Sequence, residues 1–214
     1  MEYRIRFFRI SIRYLTITRL DLHDLLDILR SLGYRITATI PPKAFRATIG
    51  GRGPIAQKGE TIIDVDTDRL VIGVSSTNPK IAFEEFSIIE KTLDNYSEIL
   101  RDRFYEVLME LEIRNKEVDM MELMKQFSVN DHPLLKKFSE TLNEQLYIYG
   151  YRFVKQGTSP EGLEWIDIEV IPLPRKPHTT MYIAITFRTR NKKKLLEVIE
   201  KIQRLPSVLS EFLK

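Results

Sequence analysis

Arginine recurs along the first strand-like stretch of this chain, at Arg4, Arg6, Arg9 and Arg13. A guanidinium is a planar fork of donors, so such a row on an exposed sheet face can grip phosphates. A second basic group surrounds the loop-like stretch GGRG, Gly50–Gly53, with Lys43, Arg46 and Lys58 close in sequence. Glycines let backbone N–H groups approach a phosphate, and Arg52 adds its fork. The stretch has neither the lysine-hydroxyl ending of a phosphate-binding loop nor the spacing of a dinucleotide fingerprint. A solvated surface loop is the competing reading. A third group, Arg188, Arg190 and Lys192–Lys194, enters the last helix, where cations oppose the helix dipole and a bound anion would relieve them. The candidate nucleic-acid or anion-binding residues are therefore Arg4, Arg6, Lys43, Arg46, Arg52, Lys58, Arg188, Arg190 and Lys192.

Carboxylates argue against that use. Asp64 and Asp66 alternate with Ile63 and Val65, and Asp167 and Glu169 with Ile166 and Ile168, so both acidic pairs face outward from their strands. If the arginine strand adjoins them, cross-strand ion pairs account for the arginines, and the carboxylates would repel a phosphate backbone. Asp64, Asp66 and Asp68 could offer oxygens to magnesium, but the spacing is not that of a cation-binding loop and Asp68 falls in a turn. His23, His132 and His178 are scattered without metal-ligand spacing, and there is no cysteine. No nucleophile, base and orienting group come together, so the chain reads as a non-enzyme without cofactor or metal.

Those residues need elements to position them. Tyr3–Thr18 reads as a long strand, with a bulge suggested by the doubled Phe7-Phe8. Leu22, Leu25, Leu26 and Leu29 mark one face of a helix, with Asp21 as N-cap and Gly33 as the left-handed residue after its end. Strands are expected at 34–40, 44–49, 61–66 and 69–76, the last two joined by a turn at TDRL. After Asn78-Pro79, the residues Ala82, Phe86, Ile89, Leu93, Tyr96 and Leu100 recur at helical spacing. The order then repeats. Tyr105, Val107, Met109, Leu111 and Ile113 alternate as a strand, and a helix after His132-Pro133 carries Leu135, Phe138, Leu142 and Leu146 to an expected end at Gly150. WIDIEV matches TIIDVD, MYIAITF matches RLVIGVS, and a last helix carries Leu195, Leu196, Ile199 and Ile202 before Pro206. Trp165, the only tryptophan, is expected to anchor the second sheet. Gly-Tyr-Arg precedes a strand in both halves, in SLGYRI and IYGYRF. The expected class is α+β: two tandem β-α-β-β-β-α units, residues 1–103 and 104–214, each an antiparallel sheet covered on one face by helices.

This order resembles the duplicated TATA-binding-protein fold. PPKAFRATI is similar to that family's Pro-x-x-Phe-Pro-Gly-aliphatic segment, departing where Arg46-Ala47 replaces Pro-Gly. The paired phenylalanines and asparagines with which the family contacts DNA have no recognisable counterparts. The resemblance therefore implies the fold and carries over no functional residue.

Bulk properties bound the rest. The 214 residues suffice for two units of about 100. No apolar run is long enough to span a bilayer, and the arginines in MEYRIRFFRISIR rule out the uninterrupted apolar segment of a signal peptide. The absence of cysteine fits a cytoplasmic protein, and 29% charged residues of both signs with abundant isoleucine fit a thermophilic source. Charge is blocked along the chain. Residues 1–60 carry 11 basic against 5 acidic side chains (+6), residues 61–131 carry 8 against 16 (−8), and residues 132–214 carry 14 against 9 (+5). Such blocks suit association within the chain or between copies. Three readings follow: a self-associating interaction protein, expected to be a homodimer; a nucleic-acid binder using the basic strand and GGRG; or a small-ligand binder or enzyme with a pocket between the halves.

Overall fold

A computed structural model describes residues 2–15, 22–37, 52–96, 102–127, 132–202 and 204–205. The strands are β1 (Glu2–Tyr14), β2 (Arg35–Ile36), β3 (Arg52–Lys58), β4 (Thr61–Asp66), β5 (Val71–Ser76), β6 (Arg103–Arg114), β7 (Tyr151–Val154), β8 (Trp165–Pro172) and β9 (Thr180–Thr189). The helices are α1 (Leu22–Ser31), α2 (Pro79–Tyr96), α3 (Met120–Phe127), α4 (Pro133–Leu142) and α5 (Lys192–Ile202). The class is α+β, as expected.

All nine strands form one antiparallel sheet in the order β2-β3-β4-β5-β1-β6-β9-β8-β7. Two separate sheets were expected. The difference arises at the centre, where β1 and β6 pair from Glu2↔Arg114 to Tyr14↔Arg103 and leave no gap between the halves. Outward from this pair lie β5-β4-β3-β2 in one wing and β9-β8-β7 in the other. Trp165 thus sits in a shared sheet.

Alternation along the strands gives the sheet two unlike faces. Phe8, Ile10 and Ile12 of β1, Val107, Met109 and Leu111 of β6, and Ile183 and Ile185 of β9 join one buried cluster. Leu25, Leu26 and Leu29 of α1, Phe86 and Leu93 of α2, Met120 and Met124 of α3, and Leu195 and Ile199 of α5 cover it. The β1–β6 register slips between Ile5 and Phe7, one residue before the position suggested by Phe7-Phe8. Arg6 is the extra residue, and the slip returns Phe8 to the core face.

Helix ends follow their sequence signals unevenly. Gly33, at φ +83°, ends α1 with paired bonds from its own N–H to the Arg30 carbonyl and from Tyr34 N–H to the Leu29 carbonyl. Asn78 Oδ1 caps α2 by accepting from the N–H groups of Lys80 and Ile81. The expected end of α4 at Gly150 is not observed: the helix stops at Leu142, and Asn143 takes the left-handed position at φ 52°. Gly150 instead lies against β8, where a Cβ would stand 2.2 Å from Ile171 Cγ2. The two Gly-Tyr-Arg stretches therefore share a place before a strand, while their glycines do different work.

The GGRG loop also needs correction. Arg52 and Gly53 belong to β3, opposite Asp66 and Val65. The density of glycine and proline disguised a strand whose register shifts between Pro54 and Ala56, where proline has no N–H to donate. Gly50, Gly51, Lys43, Arg46, the strand expected at 44–49, Thr16–Thr18, Asp21 and Leu100 lie outside the described residues. Among the described residues, no helix is long and apolar enough to cross a membrane.

Candidate functional site

On the sheet face away from the helices, arginines and carboxylates answer each other. Arg9 finds its carboxylate beyond the neighbouring strand. Its guanidinium reaches across β5 to Asp64 on β4, with Nε 2.9 Å from Oδ1 and an Nη 2.6 Å from Oδ2. Gly73 of β5 makes that crossing possible, because a Cβ there would stand 2.4 Å from Arg9 Nε. Arg6 donates to Glu112 at 2.8 Å, and Arg188 donates through two nitrogens to Glu106 Oε2 at 3.0 and 2.6 Å. Arg188 also donates to the carbonyls of Pro160 and Gly162. Arg152 on β7 holds Asp167 through two bonds of 2.8 and 2.5 Å, which keep the Asp167 carboxyl below its usual range. Phe104 is buried on this same face, with the guanidinium groups of Arg13 and Arg188 over its ring.

The remaining basic candidates disperse. Arg4 stands opposite Glu112 in the β1–β6 register. Arg52 begins β3 near one edge of the sheet. Lys58 donates to Glu85 and lies over the Tyr34 ring. Arg190 is 3.8 Å from Asp102. Lys192 reaches inward to Glu90. The acidic candidates disperse too: Asp64 is held by Arg9, while Asp66 accepts the Arg69 backbone N–H at 3.1 Å across the turn. Among the described residues, no group of three His, Asp or Glu side chains is placed to hold a metal ion.

Sequence reasoning overlooked two features. The first is ionic and central. Glu90 of α2 is 1% exposed, yet it accepts from Tyr105 Oη at 2.7 Å, pairs with Arg103 at 3.2 Å, and is held by Lys192. Arg103 also binds Asp94, through a nitrogen 3.0 Å from Oδ2. Tyr14 lies beside these groups with its hydroxyl unpartnered among the described residues, and burial pushes its phenol well above the usual range. A helix from the first half is thereby tied to a strand and a helix from the second. The signal was present: Glu90 follows Phe86 by four residues and so shares its inward face.

The second is apolar and peripheral. α4 buries none of its side chains. Leu134, Phe138 and Leu142 recur every four residues along it and are 53%, 51% and 61% exposed. Next in the chain comes β7, an edge strand with Phe153 56% and Val154 53% exposed. The place of a packed helix is taken by α3, which hides Met120 and Met124 and is capped by Asp119 Oδ1 through the N–H groups of Met121 and Glu122. The expected helix after His132-Pro133 exists, but half of its apolar stripe faces water.

Comparison with protein-family models and with curated proteins finds no match.

Proposed function

We propose that this chain is a non-enzymatic interaction and assembly protein that associates with copies of itself through its second wing. The exposed stripe of Leu134, Phe138 and Leu142 on α4 carries this reading. Large side chains at helical spacing are ordinarily buried against a neighbouring element, and a contiguous exposed set marks a contact surface. Phe153 and Val154, exposed on the edge strand β7 of the same wing, add further apolar surface.

The nucleic-acid reading has less support. Arg6, Lys58, Arg188 and Lys192 each have a carboxylate partner, so these four offer little unbalanced positive charge to collect phosphates. Light scattering after size exclusion, with and without mixed nucleic acid, tests both. The expected result is an oligomer whose elution nucleic acid leaves unchanged. A monomer at every concentration up to about 100 μM, a hundred times a micromolar dissociation constant, would overturn the assembly reading. A salt-sensitive shift with DNA, lost in the double variant Arg52→Ala and Lys58→Ala, would establish the alternative.

We also infer that the wings are two copies of one unit, 1–103 and 104–214, in the manner of the duplicated TATA-binding-protein fold. Its support is the matching order outward from the centre, β1-β5-β4-β3-β2 against β6-β9-β8-β7. Each half also runs strand, helix, further strands and a closing helix.

A further inference from the structure

We draw no further inference here: the strongest candidate, the exposed apolar stripe of Leu134, Phe138 and Leu142 along α4 in the second wing, carries nothing beyond the assembly reading, because nothing in the structure shows what covers it.

Discussion

Helix α1 of the first half and helix α4 of the second contrast directly. α1 presses Leu25, Leu26 and Leu29 into the core until none is more than 2% exposed, whereas α4 leaves Leu134, Phe138 and Leu142 more than half exposed. Both carry large apolar residues at helical spacing. What differs is the next layer. α1 ends at Gly33, whose left-handed turn sends the chain straight into the buried Tyr34 and then β2. In the second wing α3 reaches the sheet first, and α4 is separated from β7 by eight residues. A helical stripe thus defines a face that wants cover, and topology decides whether the cover comes from the same chain.

The largest expected effect lies at the joint between the wings. Glu90→Ala strands Arg103 and Lys192 beside a buried position and is expected to cost about 3–5 kcal/mol in denaturant unfolding. A cost below about 1 kcal/mol would mean that the β1–β6 ladder and the shared apolar core hold the wings together without this cluster.

The next test is the contrast itself. Leu29→Ala in α1 should cost about 2–5 kcal/mol, while Leu142→Ala in α4, measured where the chain is dilute, should stay within about 0.5 kcal/mol. Equal losses would erase the distinction. Gly73→Ala should cost about 1–3 kcal/mol, because the new methyl displaces Arg9 from its path to Asp64. Asp64→Asn in the same background should then add little, since the pair is already broken.

The smallest effect depends on pH. Arg152 holds the Asp167 carboxyl below its ordinary value, so this pair contributes stability above the unfolded carboxylate range and loses it as pH falls through the lowered folded value. The melting-temperature difference between wild type and Asp167→Asn should be flat above about pH 5 and shrink on acidification. A difference that grew in acid would reverse the sign and break the assignment.

Much of this architecture was legible in the sequence because period and punctuation agreed. Ala82, Phe86, Ile89 and Leu93 are all buried, as their spacing requires, and Asn78 caps the helix they belong to. The outward placement of Asp64 and Asp167 followed from strict alternation. Misreadings came where local signals compete. Gly53 and Pro54 look like a loop, yet strand pairing with β4 absorbs them through a bulge. Gly150 looks like a helix end, yet close packing on Ile171 is what requires it. Ion pairing was foreseen in kind but not in partner, because nothing local says that β5 lies between β1 and β4 or that Gly73 leaves room to cross it. The central cluster escaped notice because Glu90 finds partners 13, 15 and 102 positions away, at Arg103, Tyr105 and Lys192.

The long β1–β6 ladder also has a consequence during synthesis. When the first hundred residues have left the ribosome, β1 can pair with β5, but the strand that closes its other side begins only at Arg103. Until then, a nascent chain presents an open, arginine-rich edge through what will become the middle of the protein. Charged side chains along an open edge discourage stray strand pairing. Two of the arginines along that edge, Arg6 and Arg9, end on Glu112 and Asp64 in the finished sheet.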